Sequence, residues 1–254
     1  MSVLKFHDKI MFDKTTEMKK VLKLGIGVMI VMLVLNVYFG AICTRPQTHA
    51  QITDKTLSGL DLTACENLMI VAHPDDETLW GGRELIETGN YLVVCMTYGK
   101  SKTRGVDFCE NMKEIHNTPL MLNYPDKMFY KRSNWGKYQT EMLKDIEKVL
   151  TAKHWNKIVT HNPDGEYGHQ HHKFLNAMVT SECQNKGWLN ELYYFGKYYN
   201  KYQIEGLEIT TSGDTLIKKI KLINRYDSNL HYLGRKFEHM YQYDSIVKYA
   251  DWNK

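Results

Sequence analysis

The sequence predicts a single α/β domain in which helices cover both faces of a mainly parallel β-sheet. Three observations predict this fold class. Short apolar segments alternate with amphipathic segments of helical length, as expected for repeated strand–helix units. The apolar segments are continuous runs, which is typical of strands buried on both faces. Hydrophobic residues make up 43% of the 254-residue chain and charged residues 24%, ordinary globular values that exclude wholesale disorder.

The elements follow from these patterns in chain order. Strands are predicted at the apolar runs, over 67–72, 91–97, 157–160 and 192–195. Helices are predicted where apolar side chains recur every three or four residues, over 77–88, 103–116, 138–152, 170–186 and 214–226. Ligands bind outside the carboxyl ends of the strands in such sheets, so functional residues are expected there.

An uncharged segment from Leu24 to Cys43 precedes the domain and predicts a transmembrane helix, because about 20 apolar residues span a bilayer core. A cleaved signal peptide is the alternative, but the length of the apolar run favours an uncleaved anchor. Lysines are concentrated before the segment, which predicts a cytoplasmic tail over 1–23 and an extracytoplasmic domain. A linker over 44–65 and the α/β domain over 66–254 complete the predicted organisation.

Net charge and cysteine spacing limit the classes of protein to consider. The net charge of +4 belongs to the first 45 residues, so the rest of the chain is neutral and no nucleic-acid partner is expected. The cysteines of the domain lack the CxxC spacing of a structural zinc site; they are Cys65, Cys95, Cys109 and Cys183. Two disulfides outside the cell are possible, but scattered buried thiols are the favoured interpretation.

Two clusters of metal-binding residue types follow predicted strands. AHPDDE, residues 72–77, comes after the first strand, and HNPDGEYGHQHH, residues 161–172, comes after the third. A His and an Asp three positions apart at a strand-to-helix turn can chelate one divalent ion, and a His from a distant loop can complete the set. Three such ligands with an open fourth position are typical of a catalytic zinc site. The two adjacent carboxylates of the first cluster cannot point the same way, so one can bind metal while the other faces substrate.

Each cluster also has an ordinary structural interpretation. A lone His-x-x-Asp is more often a capped turn, acidic residues often complement the start of a helix, and a histidine-rich loop is often only solvated. Two such clusters at two strand ends are harder to explain in this way. The pattern therefore favours a metallohydrolase.

Together, AHPDDE and a later GxxGHxxH resemble the PIG-L (LmbE-like) family of zinc-dependent N-acetylglucosamine deacetylases. The resemblance extends from about Glu66 to at least Ser228. It implies metal ligands at His73, Asp76 and His172, with Zn²⁺ as the metal and Fe²⁺ as a possible substitute.

The resemblance also implies roles for residues around the metal. Asp75 corresponds to the general base, and His169 to the residue that stabilises the developing oxyanion and can act as an acid. Tyr167 corresponds to a mobile tyrosine, and Arg104 to an arginine that binds substrate. His171 stands where the family often has Asp or Gln. It is expected to face solvent, with a supporting role beside a ligand as the alternative.

The expected function is hydrolysis of the N-acetyl group of an N-acetylglucosaminyl-type sugar, on a glycan or glycoconjugate of a bacterial cell envelope. The expected partners are the acetamido sugar and, through the N-terminal helix, the membrane. A related amidase acting on a non-sugar or thiol-conjugate amide, or a non-catalytic sugar-binding protein, is the alternative. The expected architecture is a Rossmann-like three-layer sandwich, but no GxGxxG follows the first strand, so no dinucleotide is expected.

Overall fold

The computed structural model describes residues 19–36, 49–128, 130–230 and 232–254. The first described segment, 19–36, is a helix, α1. Within the described part of the chain, no helix combines the length and apolar character that crossing a membrane requires. Residues 37–43 of the predicted span and most of the predicted tail lie outside the described residues.

Eight strands are described beyond residue 48. They are β1 (Asn67–Val71), β2 (Tyr91–Thr97), β3 (Thr118–Tyr124), β4 (Lys127–Met128), β5 (Lys131–Arg132), β6 (Ile158–Thr160), β7 (Leu192–Phe195) and β8 (Ile246–Lys248). The main sheet has the order β3-β2-β1-β6-β7-β8, and the short β4 and β5 pair with each other. Neighbouring strands from β3 to β7 are parallel, and β8 is antiparallel to β7.

Eight α-helices accompany these strands in the same described part of the chain. They are α2 (Asp54–Ser58), α3 (Asp76–Thr88), α4 (Arg104–Glu114), α5 (Gln139–Leu150), α6 (Gly165–Gly168), α7 (Gln170–Lys186), α8 (Gly213–Leu230) and α9 (Leu233–Phe237). Three 3₁₀ turns lie at Trp135–Lys137, Glu238–Met240 and Tyr249–Asp251. Helices α3 and α4 both pack against α8, whereas α5 packs against α7.

The core lies around the neighbouring strands β1 and β2. Every residue of β1 and β2 is buried, which requires cover on both faces of the sheet. The two groups of helices supply that cover. The predicted α/β fold with a mainly parallel sheet is therefore confirmed, with β8 as its one antiparallel strand among those described.

Several short elements fall where the sequence predicted none, and two of the unpredicted elements, β3 and α2, have a clear physical reason. β3 lies at the edge of the sheet, where its side chains are only partly buried and Pro119 is tolerated, so it lacks a continuous apolar signal. α2 lies inside the segment predicted as a linker, and Ile52 beside it is buried. The backbone N–H groups of Gln51 and Ile52 donate to the carboxylate of Asp145 on α5.

The cysteines within the described residues are all free thiols, as the favoured interpretation predicted. They are Cys65, Cys95, Cys109 and Cys183. Burial raises the pKa of the Cys95 thiol well above its ordinary value, so that thiol is inert at neutral pH.

The sheet topology creates a crevice between β1 and β6. From β1 the chain continues outward on one side through β2 to β3, whereas β6 pairs with β1 on the other side. This reversal of strand order opens a cleft at the carboxyl ends of the two strands. Both sequence clusters begin at those ends, at Ala72 and His161.

Candidate metal centre

The turn from β1 into α3 brings two of the predicted ligands together. His73 lies in the turn and Asp76 is the first residue of α3. The backbone N–H of His73 donates to Asp76 Oδ2 at 2.8 Å, which fixes the carboxylate, and His73 Nδ1 lies 3.1 Å from the same oxygen. Both side chains are buried, so the pair is held in one geometry.

His172, in the first turn of α7, completes the group. Its Nε2 lies 3.3 Å from Asp76 Oδ2 and 3.4 Å from His73 Nδ1. Zinc bonds of about 2.0–2.1 Å in tetrahedral geometry put neighbouring ligand atoms about 3.3–3.4 Å apart. The three atoms therefore form one face of a tetrahedron suited to such an ion, and we call these residues the metal triad.

Glu166 orients the imidazole of His172. Its Oε2 accepts hydrogen bonds from His172 Nδ1 and, at 3.0 Å, from His161 Nδ1. His161 Nε2 accepts from the N–H of Ala72 at 2.9 Å, so that nitrogen is not free for a metal. Burial opposes ionisation of Glu166, but the two histidines outweigh it and hold its pKa at about 2. With Nδ1 donating to this carboxylate, His172 presents the lone pair of Nε2 to the triad.

The orientation of His73 is fixed from its other side. His73 Nε2 lies 3.1 Å from His171 Nδ1 and 3.3 Å from Asp126 Oδ1. His171 Nε2 donates to the carbonyl of Ser133 at 2.8 Å, so its Nδ1 is an acceptor. His73 therefore donates from Nε2 and presents its Nδ1 lone pair to the triad.

The prediction that His171 faces solvent is wrong. The side chain is 2% exposed and stacks on Trp135, with ring centroids 4.0 Å apart and planes within 6°. The loop after β5 covers the start of α7 at this point, and its Ser133 carbonyl and Trp135 ring enclose the imidazole. His171 thus supports a predicted ligand, the alternative left open by the sequence.

The charges around the triad favour a bound cation. Burial raises the pKa of Asp76, but the histidines outweigh it and hold that pKa well below its ordinary value. Burial lowers the pKa of His172, but Asp76 and Glu166 outweigh it and raise the pKa to about 10. The buried carboxylates thus stabilise positive charge at the triad, which a divalent metal ion supplies when it displaces the protons. The residues present therefore fit a metal.

Asp75 has different partners from its neighbour Asp76. Its Oδ2 accepts from Arg104 Nη2 at 2.8 Å, and Arg104 Nε donates to the carbonyl of Pro74 at 2.9 Å. Asp75 has a φ of 122°, a strained value for a residue with a side chain, and its N–H donates to Glu77 Oε2. Burial raises the pKa of Asp75 to about 6, although Arg104 opposes the shift. A carboxyl with that pKa can exchange a proton near neutral pH.

His169 and Tyr167 lie beside the triad. The His169 ring is stacked on His172, with centroids 4.3 Å apart, and its buried Nδ1 has no hydrogen-bond partner among the described residues. Burial lowers the pKa of His169 to about 2, with a further contribution from His172, so the ring is neutral. Tyr167 is half-buried, and its ring centroid lies 5.8 Å from that of His169.

A cavity of about 270 Å³ opens over this group. Six of the seven predicted site residues line it: His73, Asp75, Asp76, Arg104, Tyr167 and His169. His172 lies fully buried against Asp76. The remaining lining comes mainly from the segment after β3 and from the C-terminal region, namely Leu79, Tyr98, Asp126, Lys127, Arg132, Tyr232, Lys236 and Phe237.

Sequence reasoning missed Glu166 and Asp126. Glu166 lies inside the second motif. Gly165 has a φ of 66° and Glu166 a φ of 53°, and this turn brings the Glu166 side chain back to His161. The local sequence pattern did not predict the turn. A Cβ at Gly165 would lie 2.8 Å from Lys173 Cγ, so the turn requires glycine. Asp126 follows β3, a strand that was not predicted.

Comparison with known proteins gives two findings. Residues 68–183 match the family described as PIG-L, GlcNAc-PI de-N-acetylase. A protein of Acanthamoeba polyphaga mimivirus, named uncharacterized protein L374, is 31% identical to this chain in an alignment that covers 61% of this chain and 74% of that protein. The family match contains the whole metal triad together with Asp75, Arg104 and His169.

Proposed function

The chain belongs to the PIG-L family of metal-dependent de-N-acetylases, and from that premise we propose that it is a zinc hydrolase that removes the N-acetyl group from an N-acetylglucosaminyl-type sugar. The observation that carries the proposal is the metal triad with Asp75 beside it, at a cavity that His73, Asp75 and Asp76 line. The triad would supply three ligands to a metal ion, the number that catalytic zinc sites take from the protein.

The chain's own residues would divide the work of amide hydrolysis. A zinc ion held by His73, Asp76 and His172 would polarise the acetamido carbonyl and lower the pKa of a water molecule. Ionised Asp75 would take a proton from the attacking water at a carboxylate oxygen. His169 would donate a hydrogen bond from its ring to the oxyanion that develops on the carbonyl oxygen.

The proton then has to reach the leaving amine. Asp75 has a pKa of about 6 and so can hold the proton and release it near neutral pH. His169 has a pKa of about 2 and is neutral, which favours Asp75 over His169 as the acid of the second step. Arg104, paired with Asp75, would keep that carboxyl directed to the cavity and would contact the sugar.

The substrate, the metal and the cellular location in this proposal rest on different observations. The polar lining of the cavity and its size of about 270 Å³ suit one sugar ring with its acetamido group. Zinc is proposed on the mixed nitrogen and oxygen donors of the triad, with Fe²⁺ as the substitute. Attachment to a membrane through residues 24–43 and a bacterial cell-envelope location stay predictions from the sequence.

The test is acetate release from a panel of acetamido sugars by the full chain loaded with zinc. We expect equal amounts of acetate and primary amine, loss of both with a chelator, and recovery on adding zinc. His172→Ala should lower metal content and activity together, whereas His116→Ala, at an exposed histidine, should change neither. If the zinc-loaded chain releases no acetate from any acetamido sugar, the deacetylase proposal is overturned and the amidase alternative takes its place.

A further inference from the structure

The His73 ring has a second group of potential metal ligands on its Nε2 side, whereas its Nδ1 side faces the metal triad. His73 Nε2 lies 3.1 Å from His171 Nδ1 and 3.3 Å from Asp126 Oδ1, and these last two atoms lie 3.6 Å apart. The corresponding distances in the metal triad are 3.1, 3.3 and 3.4 Å. The second group therefore has nearly the spacing that suits tetrahedral zinc, and we call His73, Asp126 and His171 the second trio.

The three converging atoms of the second trio share a single proton. His171 Nε2 donates to the carbonyl of Ser133 at 2.8 Å, so His171 Nδ1 has a lone pair and no hydrogen. Asp126 Oδ1 is a carboxylate oxygen and also has only lone pairs. The proton on His73 Nε2 cannot lie between His171 and Asp126, whose lone pairs face each other. A cation at the centre of the trio would bind all three lone pairs at once.

Each outer ligand of the second trio is held in place by a further contact. The hydroxyl of Tyr98 donates to Asp126 Oδ2 at 2.8 Å, which leaves Asp126 Oδ1 directed at the trio. The His171 ring is fixed by the Ser133 carbonyl and by its stacking on Trp135. Metal ligands are commonly oriented by such hydrogen bonds to their outward atoms, as Glu166 orients His172 in the metal triad.

His169 offers a fourth ligand to the same place. Ligand atoms of His73, His169 and His171 all lie within 4.8 Å of one another. The His169 side chain is 8% exposed, and its buried Nδ1 has no hydrogen-bond partner in the described part of the chain. A buried polar atom without a partner costs free energy, which a bound ion would recover. A histidine that binds an ion through one nitrogen still has an N–H on the other, so His169 would keep a donor for the oxyanion.

We propose that the chain binds a second divalent metal ion, zinc or an ion with similar ligand preferences, through the second trio, with His169 as the fourth ligand. His73 would then bridge two ions, with Nδ1 on the ion of the metal triad and Nε2 on the second ion. The second ion would replace the proton on His73 Nε2, which leaves to solvent. Because Asp126 and His169 line the cavity, the second ion would lie beside it. This site goes beyond the proposed function, whose chemistry uses one ion.

Counting bound metal tests the proposal without relying on turnover. The full chain is stripped of metal with a chelator and dialysed against metal buffers of rising free zinc. Bound zinc is measured by inductively coupled plasma mass spectrometry and divided by the protein concentration. We expect the count to reach a plateau at two zinc ions per chain. A plateau at one would overturn the proposal and would show that Asp126 and His171 only orient His73.

Variants then assign the second ion to the second trio. Asp126→Ala and His171→Gln should each lower the plateau from two ions to one, and the ion that remains shows that the variant is folded. Asp164→Ala and His154→Gln, at exposed positions, are the matched controls and should keep two. A plateau of two in folded Asp126→Ala and His171→Gln would overturn the assignment. The two variants test the same site, so failure of one to fold leaves the other to decide.

Two further variants test whether His73 bridges the ions. His172→Ala removes a ligand of the metal triad alone and should keep one ion, bound by the second trio. His73→Ala removes a ligand from both sites and should bind neither ion at the free zinc concentration that saturates the wild type. A plateau of two in His73→Ala would overturn the bridge, and loss of both ions in folded His172→Ala would overturn the second site. These counts decide the inference whether or not the chain releases acetate.

Discussion

Glu166 accepts a hydrogen bond from Nδ1 of His172 and thereby directs Nε2 of that histidine at Asp76. The same carboxylate oxygen accepts from His161 Nδ1 at 3.0 Å, so one buried group orients two imidazoles. Metal-binding histidines are commonly held in this way by a carboxylate, which sets the tautomer and raises the basicity of the ligand nitrogen.

The first prediction concerns Glu166. Glu166→Gln should lower zinc affinity by roughly 10–100-fold, because a neutral amide accepts from the histidines less strongly and cannot stabilise positive charge on His172. Zinc affinity is measured by competition with a chromophoric chelator on folded protein. Glu205→Gln, at an exposed glutamate, is the matched control and should leave the affinity unchanged. Wild-type affinity in Glu166→Gln would show that this carboxylate does not support the ligand.

The second prediction concerns the pH dependence set by Asp75 and Arg104. Asp75 must be ionised to accept a proton, so kcat/KM should fall as the pH drops through about 6. Arg104 lowers the pKa of Asp75, so Arg104→Met should raise that pKa and move the acidic limb to higher pH, by roughly one unit or more. Arg83→Met, which removes a surface ion pair with Glu87, should leave the limb in place.

Metal content is measured at each pH in the same series, since protonation of the ligands also releases metal at low pH. An acidic limb that stays in place in Arg104→Met, at constant metal content, would contradict the assignment of that limb to Asp75.

The third prediction concerns a buried ion pair away from the metal. Lys219 is fully buried on α8, and its Nζ lies 2.9 Å from Asp244 Oδ1 and donates to the carbonyls of Leu79 and Tyr241. Lys219→Ala should lower the free energy of unfolding by about 3–5 kcal/mol, because it leaves the Asp244 charge buried without its partner.

The control for this prediction is Lys221→Ala on the same helix. Lys221 pairs with Glu114 at an exposed position, and surface pairs contribute about 0–1 kcal/mol. Both changes are measured by chemical denaturation. Equal losses in the two variants would show that the buried pair contributes no more than a surface pair.

The sequence predicted those parts of the fold in which the arrangement of apolar residues directly reflects which side chains are buried. β1 and β2 are continuous apolar runs because both faces of the sheet are covered, and α5 is amphipathic because one side packs on α7. β3 could not be predicted in this way, since an edge strand is only partly buried. The acidic residue that follows it, Asp126, was therefore missed as a partner of His73.

The candidate site was predictable to the extent that residue type decides its chemistry. His73, Asp76 and His172 come together as expected because their strand ends meet at one crevice. The surroundings of the triad depend on long-range folding. His171 is buried under Trp135 and Ser133, which lie in a loop whose path no local pattern specifies. Lys127 and Lys236, which line the same cavity, likewise come from segments more than 100 positions apart.

The most direct test of the account is Asp75→Asn, with zinc stoichiometry and acetate release measured on the same preparation. The amide is nearly isosteric with the carboxylate but cannot accept the proton. We predict unchanged zinc stoichiometry and turnover lower by roughly 10²–10⁴-fold, the usual contribution of a general base. Turnover close to that of the wild type, at full zinc occupancy, would contradict the claim that Asp75 activates the attacking water.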